Sequence, residues 1–238
     1  SYVLGVIVAM GFLVQQLGVW LTQYLAMDPL LIGNLILALT IVLVLAGTEV
    51  SSWGQYVIAF CVLVPLVLIG GVCWLNFQPG LLTPFAPHGW SAVGFAMPTV
   101  LFSLLGFESI ASLYSVVDKP EKNVPLAAIL AVLIVVGIFV FFVAGALFAI
   151  PAAHFTQGVN RAIADVLVSV YPQYTGMRLI GTIGAFFAIF GTLHSMIWSI
   201  ALLLRDTVAR LRFDVVQRLY KKGQLNGTSC VLAVGVIT

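Results

Sequence analysis

Glu108 is the one charged side chain inside six long apolar segments of this 238-residue chain. It lies about 18 residues after Trp90 and ten before Asp118, which places it near the middle of its segment. An ionised carboxylate in hydrocarbon costs about 2.5 to 3.5 kcal/mol on insertion scales, so it must face other protein groups, pair with them or hold a proton. An acid at this depth is more often functional than structural. A structural carboxyl, hydrogen-bonded to neighbouring helices, is the alternative.

Residues that weaken a helix surround Glu108. Gly106 precedes it by two positions, and Pro98 lies further upstream. Three serines share the stretch: Ser103, Ser109 and Ser112. Because glycine costs a helix interior about 1 kcal/mol and proline removes a ladder hydrogen bond, we expect a break near residues 105–107. Carbonyls freed by a break survive in a membrane only where they line a cavity, and there they suit an ammonium group or a cation. A gentle kink packed against a neighbouring helix is the alternative.

The composition requires an apolar solvent for the whole chain. Apolar residues make up 62% of it and charged residues only 8%, about a third of the ~25% usual in soluble domains. The mean hydropathy is +1.16, and the net charge of +2 is too small to indicate a nucleic-acid partner. The three cysteines show no metal-ligand spacing, so we expect no metal and no cofactor. The composition therefore excludes a water-soluble globule and indicates a protein of the lipid bilayer.

Six segments reach, or come close to, the ~20 residues that cross a bilayer as an α-helix. Continuous apolar runs exclude the alternating strands of a barrel. We therefore predict an all-α integral membrane protein, a multi-helix bundle forming a single transmembrane domain over residues 1–238. The predicted helices cover residues 2–27, 30–47, 53–75, 90–117, 124–150 and 179–204, and a further one starts within 228–238. Because the chain stops inside that last apolar stretch, we expect it to be incomplete at both ends.

Two shorter features complete the pattern. Between the fifth and sixth segments, Ile163, Val166, Leu167 and Val170 recur at helical spacing, which predicts a short amphipathic helix against the bundle. His194 is the one histidine inside the six segments. An imidazole titrates near neutral pH, but we expect a hydrogen-bonded core residue here.

The cationic residues predict the orientation of the bundle. If the six helices alternate in direction, eight Lys or Arg side chains share one side and two, Arg161 and Arg178, share the other. The eight are Lys119, Lys122, Arg205, Arg210, Arg212, Arg218, Lys221 and Lys222. Positive charge marks the cytoplasmic side. We therefore predict a multi-pass protein of the cell membrane whose loops 118–123 and 205–227 are cytoplasmic.

The segment around Glu108 resembles a helix of a known transporter family. Residues 101–109 read LFSLLGFES, and residues 118–125 read DKPEKNVP. They resemble the sixth helix and following loop of amino acid permeases, in the amino acid, polyamine and organocation (APC) transporter superfamily, where F-x-x-x-G-F-E-S and K-N-P or K-N-x-P are typical. Weaker matches follow in order at 28–29, 47–55 and 191–195. The six segments thus resemble the family's helices three to eight, with the start of nine.

The resemblance implies a LeuT-type inverted-repeat fold in which broken first and sixth helices hold the substrate. The family's first helix has no counterpart in this chain. Carried over residue by residue, Phe102 matches an aromatic gate, Leu105 and Gly106 match the carbonyl-bearing break, and Glu108 matches an acid that couples transport to protons or to conformation. The expected substrate-binding residues are Phe102, Ser103, Leu105, Gly106, Phe107, Met196 and Trp198.

The function implied is secondary active transport of amino acids or related amines, as a permease or antiporter, by alternating access. The partners expected are a small amino acid or amine and the bilayer. Some proton-coupled relatives carry a lysine in the fifth helix, but residues 53–75 contain none, which leaves substrate exchange or protonation of Glu108. The sequence contains no GxSG or HExxH motif and no pair of intramembrane aspartates, so no motif of this kind indicates an enzyme. A structural or channel-like membrane subunit is the remaining alternative.

Overall fold

The computed structural model describes residues 2–22, 24–83, 89–103, 106–156 and 162–210, without the side chains at 2–4, 48, 99, 102–103, 107–108, 112, 156 and 205–210. Within these ranges the chain is helical and contains no strand. The α-helices are α1 (Tyr2–Leu21), α2 (Pro29–Leu45), α3 (Thr48–Leu75), α4 (Gly89–Ser103), α5 (Pro120–Ala149), α6 (Ala152–Thr156), α7 (Ile163–Val170) and α8 (Gly176–Arg210). Short 3₁₀ helices cover Pro79–Leu82, Phe107–Leu113 and Pro172–Tyr174. The all-α fold is confirmed.

Within the described residues, three helices are long and apolar enough to cross a bilayer. They are Glu49–Leu75 in α3, Pro120–Ala149 in α5 and Gly176–Leu204 in α8. Two shorter apolar helices, Gly5–Leu21 and Pro29–Leu45, fall just below the usual spanning length. Together they identify an integral membrane protein.

The first predicted helix ends earlier than expected, at Leu21 instead of residue 27. The cause lies in the start of α2, where the Asp28 carboxylate accepts hydrogen bonds from the backbone amides of Leu30 and Leu31 at 2.9 and 3.2 Å. Pro29 then takes the first helical position, where its missing amide costs nothing. Since this cap fixes the start of α2, the preceding residues are needed for the turn.

The start of the fifth predicted helix was also placed wrongly. The predicted range was 124–150, but α5 begins at Pro120. The Asn123 side-chain amide donates a hydrogen bond to the carbonyl of Asp118 at 2.7 Å. Proline and an acid at the next position, Glu121, are both favourable in a first helical turn, which explains the earlier start.

The last described helix is longer than its predicted range of 179–204. It runs from Gly176 to Arg210, so the first six residues of the predicted 205–227 loop are helical. The sequence there holds no glycine or proline to stop the helix. The helix predicted to start within 228–238 lies outside the described residues.

The chain divides into two compact units, and unit 1 comprises residues 1–59, 109–124 and 186–238. Its core is formed by α1, α2 and the second half of α8, and its fully buried side chains include Met10, Leu17, Leu193 and Ile197. Helix α1 packs closely on α2 because Gly18 has no side chain. A Cβ there would collide with the carbonyl oxygen of Pro29.

Unit 2 comprises residues 60–108 and 125–185. Val166 and Leu167 of α7 are buried against Cys73, Ala149 and their neighbours. Ile163 and Val170, the other two members of the predicted amphipathic pattern, pack against the same cluster. The prediction of a short amphipathic helix in this connection is therefore confirmed.

The connection of unit 2 is tied down by polar contacts. The Tyr171 hydroxyl donates to the carbonyl of Ala149 at 2.8 Å, and the Gln78 amide donates to that hydroxyl at 3.2 Å. Burial raises the pKa of Tyr171, so the hydroxyl keeps its proton for this bond. An exposed ion pair joins Arg178 to Asp165 at 2.8 Å. These contacts hold α7 and its flanking turns on the ends of α3 and α5.

The α1–α2 seam yields a stability prediction. Replacing Gly18 with alanine forces the two backbones apart, and overpacking of this kind costs about 1 to 3 kcal/mol. The Gly5→Ala variant is the matched control, since a Cβ at position 5 of the same helix meets nothing within 4 Å. Thermal unfolding in detergent should show a lower midpoint for Gly18→Ala alone. Equal midpoints for the two variants would contradict the close approach.

Candidate functional site

The predicted helix over residues 90–117 is interrupted. Helix α4 ends at Ser103, and a 3₁₀ helix covers Phe107–Leu113. Between them Gly106 adopts a φ of +117°, a backbone conformation that side-chain-bearing residues rarely adopt. Residues 90–117 therefore do not form one continuous α-helix. The interruption lies where the glycine, proline and serine pattern predicted it.

The interruption changes what the backbone can bind. The C-terminus of an α-helix carries a partial negative charge. The end of α4 therefore has the electrostatic character that suits a cation.

The predicted binding residues near Glu108 lie along this interruption. Phe102 and Ser103 are the last two residues of α4, and Phe107 and Glu108 open the 3₁₀ helix. The side chains of these four residues, and the whole of Leu105, lie outside the described part of the chain. Their contacts with a substrate remain predictions.

Met196 and Trp198 lie on α8. Both are half-buried and pack against the apolar core of unit 1. The interruption up to Glu108 belongs instead to unit 2. The role of the two α8 side chains in a substrate pocket therefore also stays a prediction.

A second polar feature joins α3 to α8 within unit 1. The Gln55 side-chain nitrogen lies 2.9 Å from His194 Nδ1, contacts Ser195 Oγ, and lies 3.5 Å from the Gly191 carbonyl oxygen. His194 is completely buried, and its Nε2 has no hydrogen-bond partner among the described residues. The expected hydrogen-bonded imidazole is thus confirmed at one ring nitrogen only.

The close approach of α3 and α8 makes this polar contact possible. A Cβ at Gly191 would collide with the Ile58 side chain and would lie 3.7 Å from Ile58 Cβ. Sequence analysis did not identify Gln55 as a site residue. The sequence feature that could have identified Gln55 is its polar amide, seven residues into an apolar helix that begins at Thr48.

No metal centre is found in the part of the chain that the structure covers. Within those residues no three His, Cys, Asp or Glu side chains come together as possible ligands.

Apolar helices of spanning length define a multi-pass membrane protein, and one of its apolar segments is interrupted. The chain belongs to the amino acid permease family, whose pattern matches residues 1–213. This places it in the APC superfamily, as the sequence motif indicated. No solved structure is significantly similar to the chain.

Curated relatives agree with the family. The chain is 31% identical to the uncharacterized amino acid permease YecA of Bacillus subtilis, over 70% of this chain and 38% of that protein. It is 24% identical to mouse cationic amino acid transporter 4, over 95% of this chain and 36% of that protein. It is 33% identical to the putrescine transporter PotE of Escherichia coli, over 34% of this chain and 18% of that protein. The matched regions thus span under two fifths of each relative.

The positive φ of Gly106 yields a second prediction. Replacing Gly106 with alanine holds a Cβ-bearing residue in a strained conformation, which costs about 1 to 3 kcal/mol. Space is not the cause, because a Cβ at this position meets nothing within 4 Å. Thermal unfolding should therefore show a lower midpoint.

The matched control for this substitution is Gly94→Ala. Gly94 lies inside α4, and a Cβ there also meets nothing within 4 Å. Alanine should stabilise that helix by up to about 1 kcal/mol. A neutral Gly106→Ala variant would show that the interruption does not require glycine.

Proposed function

We propose that this chain is part of a secondary active transporter of amino acids or related amines that works by alternating access. The observation that carries the proposal is the interruption after Ser103, with Gly106 at positive φ. Membership of the amino acid permease family and the transporter names of the relatives support the substrate class. The matched regions cover only 36–38% of the two longest-matched relatives named above, which supports a longer permease of which this chain is one part.

Amino acids and amines share an ammonium group, and this is the part of the substrate that fits the interruption. Carbonyl oxygens at the C-terminal end of α4 suit the hydrogen bonds of an ammonium group, and the helix dipole favours its positive charge. Hydrogen bonds to a charged group are stronger than neutral ones, and low dielectric strengthens them further. The end of α4 therefore replaces the water that the ammonium group loses on entering the membrane.

Side-chain roles follow the family resemblance. We assign Phe102 as an aromatic gate that excludes water above the bound ammonium group. Glu108 follows the break by two residues, and we assign it the coupling of proton binding to conformation. Met196 and Trp198 are assigned to the pocket for the substrate side chain. None of these roles requires a catalytic group, so the proposed activity is transport without chemistry.

The roles of Glu108 and Phe102 can be tested by radiolabelled amino acid uptake into proteoliposomes that contain the longer permease. Glu108→Gln removes the titratable group, and Phe102→Ala opens the gate. We expect each substitution to lower the rate of uptake by about tenfold or more. A tenfold loss corresponds to ~1.4 kcal/mol in the activation free energy of transport.

Matched controls separate these roles from general damage. Glu121→Gln changes an exposed acid in the first turn of α5, and Phe95→Ala truncates an aromatic on α4 that is 84% exposed. Both should retain normal uptake. Normal uptake and exchange by Glu108→Gln and Phe102→Ala as well would refute the assigned roles.

The proposed orientation has its own test. In variants without native cysteines, Lys122→Cys should react with an impermeant maleimide only after permeabilisation, because the 118–123 segment is assigned to the cytoplasm. Gln173→Cys, in the exposed turn before α8, should react in intact cells. Labelling of Lys122→Cys in intact cells would reverse the assignment.

A further inference from the structure

The contact between Gln55 and α8 determines which way the side-chain amide points. Gly191 offers a carbonyl oxygen, which only accepts hydrogen bonds, and the atom of Gln55 nearest to it is the amide nitrogen at 3.5 Å. The same nitrogen also contacts Ser195 Oγ, which can accept as well. An amide turned the other way would bring its oxygen against the Gly191 carbonyl. The NH₂ group of Gln55 therefore faces α8.

This orientation fixes the protonation state of His194. An amide nitrogen donates hydrogen bonds and does not accept them, so His194 Nδ1, 2.9 Å away, must be the acceptor. Nδ1 therefore carries no hydrogen, and the neutral ring holds its proton on Nε2. This N–H is buried and finds no acceptor among the described residues.

A second proton is incompatible with this contact. It would have to bind at Nδ1, where its N–H would point at the NH₂ group of Gln55. The charged ring would also be fully buried, with neither N–H paired to an acceptor within the described residues. Turning the Gln55 amide supplies an acceptor to Nδ1 but sets its oxygen against the Gly191 carbonyl, so the α3–α8 contact is weakened either way.

On α1, α2, α8 and the unit 1 residues of α3, no other described titratable side chain of unit 1 is buried beside this charge. Among the described side chains of unit 1, α1 and α2 carry no titratable group. On the α3 residues of this unit, Glu49 and Tyr56 are exposed. The aromatic ring nearest His194 is that of Trp198, with centroids 6.1 Å apart. The neutral imidazole is therefore paired with the Gln55 amide and with no charged group on these helices.

We propose that His194 is a proton-binding site whose occupancy and the Gln55 contact exclude each other, so that acidification loosens the junction of α3 and α8. The proton binds at Nδ1, beside the half-exposed side chains of Gln55 and Ser195. By linkage, the separated arrangement binds the proton more tightly, so lower pH raises its population. This site is distinct from Glu108, and the proposal does not depend on transport.

The test measures the α3–α8 separation in the longer permease, reconstituted in lipid nanodiscs without native cysteines. Spin labels are attached at Tyr56→Cys and Thr192→Cys, two exposed positions flanking the contact. Dipolar broadening between the labels is compared at about pH 8 and about pH 5, on either side of the ordinary imidazole pKa. We expect the wild-type junction to lose broadening on acidification. Unchanged broadening would overturn the proposal.

Three variants test whether His194 and Gln55 cause the pH-dependent change in broadening. His194→Gln should abolish the pH response, whereas His154→Gln, which removes the half-exposed histidine of α6, should leave it intact. Gln55→Glu should reverse the response, because its carboxylate accepts the Nδ1 proton as a hydrogen bond and holds the junction closed at low pH. A pH response that persists in His194→Gln, or a Gln55→Glu junction that still opens in acid, would overturn the proposal. If His194→Gln does not fold, the comparison of wild type with Gln55→Glu decides.

Because the spectra need no substrate, this test is independent of the proposed transport. Loss of uptake in the Glu108 and Phe102 variants with no spectral change would leave transport standing without the His194 site. A spectral change with normal uptake in those variants would leave the His194 site standing alone.

Discussion

Backbone amides and carbonyls inside a bilayer must find partners within the protein or its ligand, and the rest of this structure depends on that constraint. Most of the described chain meets it by forming α-helices. The α-helical pattern stops after Ser103, and Gly106 adopts a positive φ. Discontinuous helices are the elements from which transporters build their substrate sites, which is why the proposed function centres on this interruption.

Small residues let the helices of each unit come close. In unit 1, Gly18 packs on the backbone of Pro29, and Gly191 packs against Ile58. In unit 2, Gly184 approaches Pro65 of α3. With no hydrophobic force between helices in lipid, packing and hydrogen bonds hold a bundle together, which explains why glycines lie at these seams. Close approach at Gly191 also brings Gln55 within reach of a buried imidazole.

Sequence patterns predicted the features that depend on local chemistry. Apolar runs predicted the helices, Gly106 and its neighbours predicted the break, and helical spacing predicted α7. The exact ends of the helices were harder to predict. Asp28 with Pro29, and Pro120, each start a helix more favourably than residues 30 and 124, where the predicted helices began. The Gln55–His194 contact joins residues 139 positions apart, so it depends on helix packing that no local pattern specifies.

The central proposal is that the backbone at the break binds the amino group of the substrate. It is tested most directly by solid-state NMR on the longer permease, with ¹³C at the Gly106 carbonyl and ¹⁵N in the substrate amine. The account predicts dipolar coupling between the two nuclei at saturating substrate, lost when unlabelled substrate displaces the label. Absence of coupling while the substrate is bound elsewhere in the protein would contradict it.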